Sequence, residues 1–321
     1  MSKYKYAIFD AQYILTRNFK AMQNQEYFSQ ETLARSFFWS IAKYIREMVD
    51  AEKVVCLWDK WPYHSTTLLG DEYKGDRYYA SEEELEGLDP VKDKEEIERI
   101  ENELRINKIK QGAKYWIINA FNDLGILSFI KSGYEADNFA YVIAQHLKDD
   151  DKKSIIISRD SDWKYLISKN VDYAHDKTGE TWTLEDMEKE IPEGLDISLY
   201  LYKSVIDSLY GSHNNIQRTL KEELPSDASQ ADIIRSALNG EMKYFNSEED
   251  LKQFQLNLST FTVENYPEYE NVKKMMYYLD KSGRIMSTDE FNQFRLMNNF
   301  QVSDSYYRTF SSLLNKDLYQ K

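Results

Sequence analysis

Residues 154–163 read SIIISRDSDW. Three isoleucines in a row leave no polar face, so the run fits a strand buried on both sides. Strands of that kind belong to parallel sheets covered by helices. Upstream, the helical pattern of Tyr134–Leu147 precedes this run, and before that lies an apolar stretch, Ile126–Ile130. A long helical pattern over Lys94–Leu124, ended by Gly125, leads into that stretch. Nearer the start, Tyr6–Phe9 and Lys53–Trp58 read as buried strands, with helical periodicity over Glu31–Val49 between them. Downstream come a short helix, Asp162–Ser168, and a fifth strand, Val171–Ala174. Strands separated by helices predict an α/β fold with a mostly parallel central sheet flanked by helices.

From Leu195 onward the pattern is helical, best over Asp196–Leu209, Ala231–Leu238, Pro267–Leu279 and Ser303–Leu314. Pro192 and Gly194 mark the turn between the two parts. The expected division is an α/β domain over 1–194 and a helical region over 195–321. No apolar stretch reaches the roughly 18 residues of a membrane span. The start, MSKYKYAIFDAQ, enters a strand-like run with no leader-like segment. Cys56 is the one cysteine, which excludes a disulfide framework and a zinc–thiolate site and fits a reducing cytoplasm.

The net charge is −14, a balance that taken alone opposes nucleic acid. The charge is unevenly spread, however. Residues 82–103 hold eleven acids against three bases, whereas 104–118 hold Arg105, Lys108, Lys110 and Lys114 and no acid. Carboxylates gathered around cations also inflate the negative total without repelling an anionic substrate.

In an open parallel sheet the ligand crevice lies beyond the carboxyl ends of the strands. Four of the expected strands end near acids: Asp10 after the first, Asp59 after the second, Glu135 and Asp137 after the third, and Asp160 and Asp162 after the fourth. Each alone has a plain structural explanation as a helix cap or a partner of the helix dipole. Together, so many carboxylates at one edge repel one another unless a cation sits among them. Hard divalent ions with oxygen ligands answer that need.

The segments around these acids resemble a known family. FDAQYILTR pairs Asp10 with Arg17; LWDKWPYHSTTLLGDEYKGDR places Tyr73, Lys74 and Arg77 after Asp59; GYEADN and ISRDSDW follow in order. This series resembles the 5′ nucleases, the family of bacteriophage 5′-exonucleases, the 5′-nuclease domains of bacterial DNA polymerases, and flap endonucleases. The phage 5′-exonuclease and ribonuclease H type members are the most similar. The resemblance covers residues 6–215. It implies a PIN-like 5′ nuclease fold with a helical arch at about residues 78–120. It also implies that Asp10, Asp59, Glu135, Asp137, Asp160 and Asp162 hold two Mg²⁺ ions, with Mn²⁺ able to substitute. One ion would activate the attacking water and the other would stabilise the leaving oxygen. Lys74 and Arg77 would meet the scissile phosphate, and Arg17, Tyr73, Lys110 and Lys114 would contact nucleic acid. Lys110 and Lys114 share a helix face that either lines the strand's path or is simply solvated. The implied substrates are DNA with 5′ ends or flaps and RNA–DNA hybrids. The implied setting is primer removal beside replication proteins, away from membranes and in the host cytoplasm if the chain is virus-encoded.

Three departures bear on the second ion. Asn138 stands where the family has an acid. In YKSVIDSLYGSHNNIQRTL, Gly211 and Asn214 stand where two more acids belong, Asn215 and Ile216 complete the Asn-Asn-Ile, and the glycine-rich hairpin is missing. Asp207, four residues before Gly211, would serve as the substitute ligand if the loop is rearranged. Ser65 and Thr66 lie near the place of an expected Arg. These losses favour a second, weaker ion, or alternatively a nucleic-acid-binding protein that kept the fold and lost activity. Two enzymatic rivals fit less well. An aspartyl-phosphate phosphatase needs Asp-x-Asp at the first strand end, where Asp10 is followed by Ala11 and Gln12. A PIN-type ribonuclease shares the acids but not the Tyr-Lys-x-x-Arg segment.

Overall fold

The computed structural model describes residues 3–60, 81–124, 126–211 and 216–281, with positions 293 and 296. Ser65, Thr66, Tyr73, Lys74, Arg77, Gly125, Asn214, Asn215 and the helix expected at 303–314 lie outside the described residues, as does part of the expected arch.

Six strands form one sheet: β1 (Tyr4–Asp10), β2 (Ala51–Leu57), β3 (Leu127–Phe129), β4 (Ser154–Ser158), β5 (Val171–His175) and β6 (Thr181–Trp182). Their order is β3-β2-β1-β4-β5-β6. All neighbours run parallel except β5 and β6, which close an antiparallel edge. The fold is therefore the mixed α/β architecture expected, with a short sixth strand added. The chain builds outward from β1 through β2 to β3 and then returns to β1's other side as β4. The switch point of the topology thus lies between β1 and β4, where a crevice opens at the carboxyl ends.

The helices are α1 (Ala11–Met22), α2 (Gln30–Glu47), α3 (Lys94–Asp123), α4 (Ala136–Leu147), α5 (Leu184–Met187), α6 (Leu199–Tyr210), α7 (Gln230–Leu238), α8 (Glu248–Phe261) and α9 (Tyr269–Lys281). Alternate residues of β1 serve opposite faces, as strand pleating requires. Ala7 and Phe9 join Phe37, Phe38, Trp58 and Phe121 under α1–α3. Phe37 stacks on Trp58 at 5.3 Å, and Phe38 meets Phe121 edge-on at 4.9 Å. Tyr6 and Ile8 face the other way, into a layer built by α4 and α9 with Phe139, Val272 and Met276. The Tyr6 hydroxyl donates to the Leu279 carbonyl at 2.8 Å, tying α9 to the sheet. A separate helical core from α6–α8 contains Val205, Leu209, Ile234 and Phe254. Residues beyond 195 therefore supply both a sheet-covering helix and a helical cluster of their own. Among the described residues no helix is long and apolar enough to cross a membrane.

Candidate active site

Asp10 ends β1 and caps α1, so strand and helix meet at one carboxylate. Its Oδ1 accepts from the Tyr13 amide at 2.9 Å, and its Oδ2 accepts from the Ser158 hydroxyl at 2.9 Å. The Ser158 oxygen in turn accepts from the Asp160 amide at 3.0 Å, so one hydroxyl links the acid ends of β1 and β4. Asp10 is 6% exposed. Burial pushes its carboxyl from 3.8 up to about 7; the charges of Asp59 and Asp160 push the same way, against the hydrogen bonds from Tyr13 and Ser158.

The other strand-end acids are held as firmly. Asp59 follows β2, and its Oδ1 accepts from the Ala136 amide at 2.8 Å, at the start of α4. Glu135 is buried at the N-cap of α4, where its amide donates to the Asn138 Oδ1 at 2.9 Å. Asn138, standing where an acid was expected, thus spends its oxygen on the helix cap. Asp137 accepts from the Trp163 indole at 2.8 Å. Asp160 and Asp162 are exposed beyond β4, and Asp160 Oδ1 caps the following turn through the Asp162 amide at 2.9 Å. The capping explanation and the functional one therefore apply to the same side chains.

The basic residues sort differently. Lys114, from the middle of α3, is buried; its ammonium donates to the Asp59 carbonyl and, at 3.0 Å, to Gln12 Oε1. Burial brings it down from 10.5 to about 8, with Asp59 opposing and Lys110 and Lys60 adding. This excludes the solvated helix face for Lys114. Lys110 lies over the Phe19 ring at 5.3 Å. Arg17 pairs with Asp176 at 2.6 Å, and the Tyr44 hydroxyl donates to the same Asp176 oxygen at 3.0 Å.

Asp207 lies on α6 beneath the same edge. Both its oxygens accept from Lys203, at 2.6 and 2.7 Å, and Lys203 also reaches Asp162 at 3.1 Å. Burial opposes the Lys203 charge, but the two carboxylates outweigh it and its pKa rises. At Gly211, φ is 82° and a Cβ would meet the Ile216 carbonyl oxygen at 2.7 Å. In this backbone any side chain at 211, an acid included, would be strained.

Ser158, Asp176 and Lys203 escaped the sequence reading. Ser158 ends β4 two residues before Asp160, and Asp176 follows β5 by the same strand-end rule; either signal was available. Lys203 had only its spacing of four from Asp207, which reads as a surface pair.

The donors suit a hard divalent ion in kind. They are all oxygens, they follow the carboxyl ends of neighbouring strands, and the repulsion from Asp59 and Asp160 that adds to the burial of Asp10 is what a cation relieves. Among the described residues, no three such side chains close into a cage. Each of Asp10, Asp59 and Asp137 is turned onto a protein donor, and Asp162 and Asp207 are turned onto an ammonium.

The comparisons with known proteins agree with this architecture. A family model described as the 5′-3′ exonuclease N-terminal resolvase-like domain matches residues 5–192. The T5 D15 protein co-crystallised with metal ions is 18% identical, covers 92% of this chain and 98% of its own, and has a TM-score of 0.51. The bacteriophage T5 D15 flap endonuclease in a complex with DNA and metal ions is 17% identical over 97% and 99%, with a TM-score of 0.48. Human GEN1 with Holliday junction DNA is 14% identical over 97% and 71%, with a TM-score of 0.40. The likeness to the T5 D15 protein is one of fold. No curated protein sequence matches the chain.

Proposed function

The chain belongs to the 5′-3′ exonuclease family, and from that premise we propose that it is a 5′→3′ exonuclease and flap-type endonuclease. It hydrolyses phosphodiester bonds of DNA or of RNA–DNA hybrids, and primer removal during replication is the setting that fits. One observation supports the reading: Asp10, Asp59 and Asp160 follow from the ends of three different strands, and the charges of the last two add to the burial that pushes Asp10 up to about 7. Asp10, Asp59, Glu135, Asp137, Asp160 and Asp162 are the residues to hold Mg²⁺, or Mn²⁺ in its place. An ion held there lowers the pKa of water and offsets phosphate charge.

The chain's own residues position that chemistry. Ser158 keeps Asp10 and Asp160 in step, Lys114 fixes the backbone that carries Asp59, and Trp163 orients Asp137. Lys74 and Arg77 are assigned to the scissile phosphate, and Arg17, Tyr73 and Lys110 to the nucleic acid around it. Arg17 is already aimed by Asp176 and Tyr44.

The test is cleavage of 5′-labelled flap, nicked duplex and RNA–DNA hybrid, with and without EDTA. Mg²⁺-dependent release of short 5′ products is expected. The competing reading is a binding protein without activity, favoured by the pairing of Asp162 and Asp207 with Lys203. Flap binding with no cleavage at any Mg²⁺ concentration would establish it.

A further inference from the structure

We infer that Lys203 stands in for the second divalent ion, so that the centre combines one bound ion with one tethered ammonium. The inference rests on the nuclease reading above and concerns the half of the site where acids are depleted.

Four observations carry it. Lys203 reaches Asp207 at 2.6 and 2.7 Å and Asp162 at 3.1 Å, so its ammonium lies between these two carboxylates, in a cavity that Glu135 and Asp137 also line. The Lys203–Asp207 pair is mostly enclosed, at 22% and 13% exposed, while Asp162 stands at the open side, 55% exposed. The ammonium also lies 5.8 Å from the Tyr165 ring centre. Finally, Gly211 has no room for the carboxylate that would strengthen a metal site, because a Cβ would meet the Ile216 carbonyl oxygen at 2.7 Å.

The chemistry follows from charge and size. A divalent ion binding between Asp162 and Asp207 must displace the ammonium, since both Asp207 oxygens already accept from it. It cannot bind beside the ammonium without close like-charge repulsion. With the ammonium seated on both Asp207 oxygens and on Asp162, too few free oxygens remain there for an ion that demands near-octahedral oxygen ligation at about 2.0–2.1 Å. A lysine ammonium on a flexible four-carbon stem supplies positive charge at the same place and is not lost to solvent. The triad also forms part of the wall of a cleft of about 660 Å³ that contains Tyr210 and Arg218. The tethered charge therefore faces space that a nucleic-acid strand can enter.

The experiment counts ions rather than turnover. Mn²⁺ is titrated into the full chain and free ion is read by electron paramagnetic resonance, for the wild type, Asp207→Asn and Lys203→Met. The expected result is one Mn²⁺ per chain in the wild type, still one in Asp207→Asn, and two in Lys203→Met. Two ions in the wild type falling to one in Asp207→Asn would overturn the inference, as would no ion in the wild type. If Lys203→Met fails to fold, the other two counts still decide. Flap cleavage on the same preparations separates the two claims. Two ions with Mg²⁺-dependent cleavage sink only the lysine; one ion with no cleavage sinks only the nuclease reading.

Discussion

Asp10→Asn should make the metal-free protein more stable at high pH while abolishing its activity. In the folded protein the Asp10 carboxyl is pushed from 3.8 up to about 7. Between those values the folded chain binds more protons than the unfolded one, so stability falls as pH rises. The full loss is about 4 kcal/mol above pH 7, and about 3 kcal/mol of it accrues between pH 5 and pH 8. Asparagine carries no charge and escapes this loss. Its carbonyl oxygen can still accept from the Tyr13 amide, keeping the α1 cap. The Ser158 hydroxyl loses its acceptor, which costs about 1 kcal/mol. Urea unfolding in EDTA should therefore show the variant near the wild type at pH 5 and more stable by about 3 kcal/mol at pH 8. Added Mn²⁺ should raise the wild type and leave the variant nearly unchanged, since only an ion that prefers the folded state stabilises it. A difference that stays flat from pH 5 to pH 8, or equal stabilisation of both proteins by Mn²⁺, would refute the reasoning.

Other residues make separate predictions. Lys114→Met should keep the fold but lower cleavage by about 10- to 100-fold, because the Asp59 backbone loses its anchor. The wild type should also gain about 3 kcal/mol as pH rises from 8 to 10.5, where the unfolded chain binds the extra proton, and this variant should lack that rise in urea unfolding. Trp163→Phe removes the donor to Asp137 and leaves a small void, costing about 2 kcal/mol in unfolding experiments together with a drop in cleavage. Gly211→Ala should destabilise by about 2 kcal/mol or more, read as a shift in the urea midpoint; a neutral effect would contradict the crowding described there.

The sheet was legible where burial leaves no alternative. Ser154–Ser158 shows the predicted bounds because three isoleucines buried on both faces admit only a central strand. β1 and β2 lie within two residues of their expected bounds for the same reason. α1 was missed as a helix although Ala11, Ile14, Leu15 and Asn18 form a buried stripe at helical spacing, because the stripe is short, ends on a polar residue and starts directly from the strand at the Asp10 cap. β6 is two residues long and exists only by pairing with β5, so no local pattern marks it. The acids Asp10, Asp59, Glu135, Asp137, Asp160 and Asp162 could be read because parallel topology sends strand ends to one edge. Which donors restrain them could not. Lys203 meets Asp162 across 41 positions of sequence, and Lys114 reaches the Asp59 carbonyl across 55. Tertiary packing alone creates those contacts.

The central claim is hydrolysis by a strand-end acid cluster, and Asp160 tests it most directly because it is exposed at the switch point and carries little of the core. The measurement is cleavage of a 5′-labelled flap in Mg²⁺ by the wild type and by Asp160→Asn, with unfolding curves run alongside. The account predicts efficient cleavage by the wild type, none by Asp160→Asn, and the same folded stability within about 1 kcal/mol. Cleavage by Asp160→Asn at the wild-type rate would contradict it.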